Sequence, residues 1–315
     1  MLAWGRPCLR LGTRTFSTAS APFIYADRSV AVLNKPAEWI SQLDRRPEDS
    51  GSERSYTQPT SNVRGNDDMP MKDALRRFQA EHHLDKLWVC HRLDKVTTGA
   101  MLIATSESSA TEVHSQFAAR TVDKVYLALV RAGTDAFNNA KSGEINSAVH
   151  RSEDGIMSLA KSRKGEGVYS ASTSWEVVDS SPVAPVSLVK FMPSTGRKHQ
   201  IRLHASYAMK CPILGEKLYT ASRPAADVRQ ALGPLLQSGR LFLHSSSLTL
   251  FRYRQEGPKK RFRLGVTAPL PDDFAEACER LQLSVPREFL SGGVYVDGER
   301  VKNGVVEGVD GRWLL

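Results

Sequence analysis

An α+β fold is predicted by three features of the chain. Strand-like runs outnumber helical ones, several follow one another directly, and their alternation of polar and apolar residues is that of antiparallel sheet. No βαβ series and no Gly-x-Gly-x-x-Gly turn is present, which counts against a dinucleotide-binding domain. Residues 22–285 are read as one domain.

The elements follow in order. Ala31-Val32-Leu33 is a short apolar strand running into a turn at Asn34-Lys35-Pro36. Residues 41–68 are rich in Arg, Asp, Glu, Ser and Pro with almost no aliphatic side chains; such a segment buries too little surface to order itself and reads as a flexible insertion. Met71, Ala74, Leu75 and Phe78 recur at helical spacing, so a helix is expected over 71–82. Met101–Ala104 is a buried strand, Ala110, Val113 and Phe117 mark a helix from Ser106 to before Arg120, and Lys124–Val130 is a strand. Tyr169–Val178 pairs with Val186–Met192 across the turn Ser180-Ser181-Pro182, and a helix over 199–208 follows the turn Thr195-Gly196-Arg197. Strands are expected at 241–243, 248–253 and 262–266, then a helix from Pro271 to Leu281. Residues 286–315 form a C-terminal extension in which Val294-Tyr295-Val296, Asp297-Gly298 and Arg300-Val301 spell a hairpin with a type I′ turn, or else an appendage on the sheet edge.

Composition bounds the function. The 315 residues are 41% hydrophobic and 24% charged, a balance that supports a proper core. No apolar run is long enough to span a bilayer, so no membrane partner is expected. A formal charge of +9 favours a polyanionic partner. Part of that excess lies in residues 1–21, where Arg6, Arg10 and Arg14 alternate with hydroxyl and apolar residues and no Asp or Glu occurs. This is the composition of a mitochondrial transit peptide and points to the matrix. Cys8, Cys90, Cys211 and Cys278 are scattered, without Cys-x-x-Cys pairs, which argues against a structural zinc or a disulfide framework.

The most informative stretch is His91-Arg92-Leu93-Asp94, followed by Thr98-Gly99 and the apolar run 101–104. It places one carboxylate in an arginine-flanked turn with no second carboxylate nearby to share a proton. Such an Asp stays ionised and suits a nucleophile better than a general acid, although an Asp–Arg turn pair is the default for any single Asp. Three further blocks accompany it: Lys124-Val125-Tyr126, Thr195-Gly196-Arg197-Lys198-His199-Gln200-Ile201-Arg202-Leu203-His204 with Pro212-Ile213-Leu214-Gly215 and Leu218-Tyr219, and Leu243-His244.

Together with Asn34-Lys35-Pro36, and in this order, the blocks resemble the RluA-type pseudouridine synthases across nearly all of residues 30–283. That resemblance implies an extended, mixed but mostly antiparallel sheet with flanking helices and a central RNA-binding cleft. It implies Asp94 as the nucleophile that adds either to C1′ of the ribose or to C6 of the uracil, after which the base is turned and rejoined through C5. Arg202 matches the family's active-site arginine and Tyr126 the tyrosine that stacks on the uracil, with Leu203 as an apolar wall. Arg92 either holds a phosphate or fills the gap left by the extruded nucleotide. Arg197, Lys198 and His199 suit backbone phosphates, and Lys124 is placed with the substrate-binding group. Lys198 stands where the family commonly has Thr.

No redox cofactor, small-molecule cofactor or metal is expected, since His91, His199 and His204 lack carboxylate co-ligands. The expected partner is mitochondrial RNA, large-subunit rRNA first and tRNA second. Few residues precede the core, too few for the S4-type RNA-binding module usual in the family, which leaves target choice to the catalytic domain, the insertion, the tail or an accessory protein. Two rivals stand beside the enzyme: a catalytically silent RNA-binding factor of ribosome assembly, and a hydrolase using Asp94, which lacks a water-activating partner.

Overall fold

A computed structural model describes residues 22–41, 69–132, 134–137 and 140–315. The 1–21 leader and, apart from Ser41, the 41–68 insertion lie outside the described residues. In chain order the first half holds β1 (Phe23–Ala26), β2 (Val30–Lys35), α1 (Met69–Glu81), β3 (Trp88–Val89), β4 (Thr98–Ala104), α2 (Glu107–Ala118) and β5 (Asp123–Val130). Then come β6 (Ser142–Ile145), β7 (Val149–Arg151), β8 (Met157–Leu159), β9 (Val168–Tyr169), β10 (Thr173–Ser180), β11 (Ser187–Pro193) and α3 (Gln200–Leu203). The last third holds α4 (Ala226–Leu232), α5 (Pro234–Gln237), β12 (Leu243–Tyr253), β13 (Arg261–Thr267), α6 (Asp272–Arg280), α7 (Arg287–Ser291), β14 (Gly293–Val296), β15 (Glu299–Arg300), β16 (Val305–Val306) and β17 (Gly311–Trp313).

Among the described residues, one 14-stranded sheet runs β16-β17-β1-β2-β4-β12-β5-β11-β10-β6, with β13, β14 and β15 branching from β12 and β3 paired to β4. A second, three-stranded sheet is ordered β8-β7-β9. Every pairing is antiparallel except β4 with β12, which is parallel. That one parallel contact matters, because β4 begins just after Asp94. Gly99 permits it: its φ is +112°, and a Cβ there would meet the Ser245 carbonyl oxygen at 2.2 Å.

Helices cover the sheet where their apolar faces demand it. Met71, Leu75 and Phe78 of α1 pack on Leu33, Met101 and Ile103. Ala110 and Val113 of α2 pack on Val32, Leu102 and Leu250, and Ser106 caps α2 by accepting the Ser109 N–H at 3.2 Å. Phe274, Ala277 and Cys278 of α6 cover Leu127, Leu129 and Leu188. All seven residues of β4 are buried, as its near-continuous apolar run requires for a strand covered on both faces.

Two local expectations are corrected. The strands expected at 241–243 and 248–253 are one strand, β12, because the polar run His244-Ser245-Ser246 stays in the sheet with its own partners: Ser245 Oγ donates to the Ala100 carbonyl at 3.1 Å and His244 Nδ1 meets Thr98 Oγ1 at 2.9 Å. The helix expected over 199–208 is α3 followed by a single π turn, 204–208. The strands after 285 are part of the main sheet. The hairpin forms, with Asp297 and Gly298 at φ 50° and 89°, but β14 pairs with β13 while β17 returns to pair with β1. Val294, Val306 and Val309 share a core cluster with Val30 and Leu102. Thirty residues bury too little surface for a core of their own, so they complete the core already there. No helix among the described residues is long and apolar enough to cross a membrane.

Candidate active site

The turn that carries Asp94 is fastened by its neighbours. His91 Nε2 accepts the Leu102 N–H at 2.9 Å, and burial pushes this imidazole down to about 3, so it serves as a neutral acceptor. Ser41 Oγ donates to the Leu93 carbonyl at 2.6 Å and receives its N–H at 3.1 Å. Lys35 is fully buried, and its Nζ donates to the carbonyls of Pro36, Trp39 and Lys95 at 2.9, 2.9 and 3.0 Å. Burial lowers this amine to about 7, against the pull of Asp94 and Glu38. The backbone on both sides of Asp94 is thereby fixed.

The Asp94 carboxylate opens into a solvent-facing cleft of about 110 Å³ walled by Leu93, Tyr126, Ile201 and Leu243. Arg202 Nη1 lies 3.7 Å from its Oδ2, and His199 Nε2 lies 3.7 Å from its Oδ1. Both are electrostatic contacts longer than hydrogen bonds. The firm partner of Arg202 is Glu216, bound from Nε at 2.7 Å and Nη2 at 2.8 Å. Burial opposes charge on both; the paired geometry more than restores it, so Arg202 is raised and Glu216 lowered from their ordinary values. Arg202 therefore keeps two nitrogens on Glu216 and turns the third toward Asp94.

Tyr126 stands on β5 opposite Ser245 on one side and Phe191 on the other. Its neighbours Val125 and Leu127 face the α6 side, while Tyr126 packs toward Leu93 and Met101 and lines the cleft. Burial pushes its phenol up to about 12. Lys124, two residues earlier, donates to the Thr195 carbonyl at 3.3 Å, and burial, aided by Arg120, lowers it to about 8.

Eight of the nine site residues expected from sequence line the cleft: Arg92, Asp94, Lys124, Tyr126, Arg197, Lys198, His199 and Arg202. Leu203 does not. One helical step beyond Arg202, it turns into the cluster of Val149, Met157, Ala171 and Tyr219, fully buried, and Ile201 lines the cleft in its place. His199 lines the cleft but turns inward rather than toward the cationic rim: its Nδ1 lies 2.5 Å from the Tyr219 hydroxyl. At the rim, Arg197 Nε donates to the Ser170 carbonyl at 3.1 Å, its guanidinium lies 5.4 Å from the Tyr169 ring, and Lys198 Nζ reaches the Gly155 carbonyl at 3.4 Å. His204 bonds Thr173 Oγ1 and the Ser147 carbonyl, a structural role. No group of three or more metal-ligating side chains occurs among the described residues.

The family profile described as RNA pseudouridylate synthase matches residues 29–207, the span that holds Asp94, Tyr126 and Arg202. The chain belongs to this family. Among curated relatives, the mitochondrial pseudouridylate synthase RPUSD4 of Homo sapiens is 31% identical over 238 residues, covering 68% of this chain and 61% of its own. The ribosomal large subunit pseudouridine synthase C of Haemophilus ducreyi is 32% identical over 198 residues, covering 63% and 56%. The tRNA pseudouridine synthase C of Yersinia pestis is 30% identical over 238 residues, covering 72% and 79%. The chain thus spans about three fifths of the length of the human relative. A solved structure of the human RNA pseudouridylate synthase domain containing 4 shares the fold, with a TM-score of 0.62 at 24% identity over 84% of this chain and 94% of that one.

Glu216 was not named from sequence, and Tyr219 entered only as part of the Leu218-Tyr219 block, without a role of its own. The signal was a carboxylate directly after the apolar Pro212-Ile213-Leu214-Gly215 run: a charge buried there needs a cation. Gly215 makes the turn, with φ +85° and no room for a Cβ, which would meet the Arg240 carbonyl oxygen at 1.8 Å.

Proposed function

We propose that this protein is an RNA pseudouridine synthase that isomerises a uridine of mitochondrial RNA, with Asp94 as nucleophile, Arg202 steadying it and Tyr126 stacking on the everted base. The observation that carries this reading is the convergence of Asp94, Arg202 and Tyr126 on one cleft in a chain of this family. A side chain that attacks a nucleotide taken out of its stack must be reachable from solvent and backed by an aromatic wall, and Asp94, partly exposed beside Tyr126, meets both needs. Arg92, Lys124, Arg197 and Lys198 hold backbone phosphates around it, which suits a chain of net charge +9.

The mitochondrial matrix is the proposed compartment, on the arginine-rich, acid-free leader and the mitochondrial relative. Large-subunit rRNA is the proposed substrate, in line with the ribosomal relative; the similarity to a tRNA synthase makes mitochondrial tRNA the second reading. The two separate in a tritium-release assay on transcripts carrying 5-tritiated uridine. Release from a large-subunit rRNA fragment and not from tRNA supports the first reading, the reverse supports the second, and release from neither overturns the assignment. A silent ribosome-assembly factor would bind without release.

A further inference from the structure

We propose that Tyr219 and His199 form a positioning relay for Asp94. The Tyr219 hydroxyl donates to His199 Nδ1, fixing the imidazole as its Nε2–H tautomer and aiming that hydrogen at Asp94 Oδ1 while Arg202 faces Oδ2. The relay rests on Asp94 being the nucleophile proposed above.

The geometry supplies each link. Tyr219 Oη is 2.5 Å from His199 Nδ1, and His199 Nε2 is 3.7 Å from Asp94 Oδ1, so the ring lies between phenol and carboxylate with one nitrogen toward each. His199 is also one of the few non-glycine residues in the left-handed region, at φ 57°, directly before α3. A backbone held there costs stability and persists where surrounding contacts over-determine it. Here the ring is hydrogen-bonded at Nδ1 and drawn electrostatically to Asp94 at Nε2, and the unusual backbone turns it in toward Asp94 instead of out toward the rim.

The tautomer follows from proton inventory. A neutral imidazole has one donor and one acceptor. Burial pushes the Tyr219 phenol up to about 12, so at neutral pH it keeps its proton and has it available to donate. Burial lowers His199 from its ordinary value; Arg202 and Lys198 act the same way, and Asp94 and Glu216 oppose them. These groups and Tyr219 are the ionisable neighbours facing the ring. With Nδ1 accepting from Tyr219, the hydrogen must sit on Nε2. The other tautomer would set a bare lone pair against a carboxylate.

One segment therefore backs both sides of Asp94. Glu216 holds Arg202, and Tyr219, three residues on, holds His199; its ring also lies 5.4 Å from the Arg202 guanidinium. That double duty makes Tyr219→Phe an informative variant, because it keeps the ring against Arg202 and deletes only the donor.

Nitrogen-15 spectra of the folded protein test the tautomer without any assay of activity. Wild type is expected to show His199 as Nε2–H, and Tyr219→Phe a mixed population. In kinetics, Tyr219→Phe is expected to lower kcat about tenfold with KM nearly unchanged, the mark of a misaimed group rather than lost binding. His199→Ala lowers kcat further, and His199→Gln, which retains one donor and one acceptor on a side chain of similar reach, recovers part of the loss. Adding Tyr219→Phe to His199→Ala costs nothing more, since the hydroxyl acts only through the ring. An Nδ1–H tautomer in wild type, full kcat in Tyr219→Phe, or additive losses in the double variant would overturn the relay. An inactive wild-type protein showing the expected tautomer would instead overturn the proposed function while supporting the relay's geometry.

Discussion

Beneath the cleft, Lys35 and the Glu216 side chain are fully buried and held by paired partners, whereas at the rim Arg92 is exposed and Arg197 and Lys198 are half-buried, with Nε and Nζ on the carbonyls of Ser170 and Gly155. The two regions ask different things of charge. A buried charge is worth keeping only when paired, and losing its partner is costly; a solvated one contributes little to stability and attracts a polyanion in a salt-dependent way. The floor is thus built for aim and the rim for capture, and substitutions in the two regions should separate into losses of kcat and losses of affinity.

The largest separation is expected from Glu216→Gln. It strips the bidentate carboxylate from a buried guanidinium and should cost about 3–5 kcal/mol of stability. In the protein that remains folded, kcat should fall about a hundredfold because Arg202 is no longer turned toward Asp94. Urea unfolding and single-turnover assays check this; unchanged stability would show that Arg202 finds another anion.

Next in size is Lys35→Met, which leaves the carbonyls of Pro36, Trp39 and Lys95 without their donor. A loss of roughly 2–3 kcal/mol is expected from buried acceptors left unmade, with kcat falling more than RNA affinity. If RNA affinity fell instead, Lys35 would belong with the rim.

At the rim, Lys198→Ala and Arg197→Ala should each weaken RNA binding a few-fold, leave kcat near wild type, and flatten the plot of log affinity against log salt by about one unit or less per removed contact. Steep salt dependence retained in the double variant would remove both residues from the phosphate-binding set.

The remaining expected effect is on acid stability. His91 and His244 are both pushed down to about 3, chiefly by burial. In the unfolded chain they titrate near about 6.5, so between these values the unfolded state binds more protons. Their contribution is complete above pH about 6.5 and is lost as pH falls toward 3. The urea midpoint should drop between pH 7 and pH 5, and the drop should be smaller in His91→Gln. An equal drop in both proteins would show that other groups dominate.

Much of the fold was legible because its signals are local. The Ser106 cap, the helical spacing of Met71 to Phe78, the Asp297-Gly298 turn and the apolar run of β4 depend on neighbours in sequence. The cleft was legible for the same reason: Asp94, Tyr126 and Arg202 each sit in a compact block. What escaped notice depends on distant partners. His244 looked like a break because its bonds go to Thr98 and Ala268, and the tail stayed open between a hairpin and a sheet-edge appendage because its strands pair with β13 and β1, far off in sequence. Leu203 looked like a wall because sequence does not set the rotation of a short helix. The arginine at 202 was recognised, but its firm partner lies 14 residues on, inside a segment whose apolar character hid it.

The most direct test of the account compares wild type with Asp94→Asn on the same 5-tritiated RNA, with binding measured in parallel by fluorescence anisotropy. The expected result is tritium release by wild type, none by the variant, and RNA affinity within about twofold of each other, since an amide of the same shape removes the nucleophile and leaves the rim intact. Release by Asp94→Asn at the wild-type rate would contradict the assignment of this carboxylate as the attacking group.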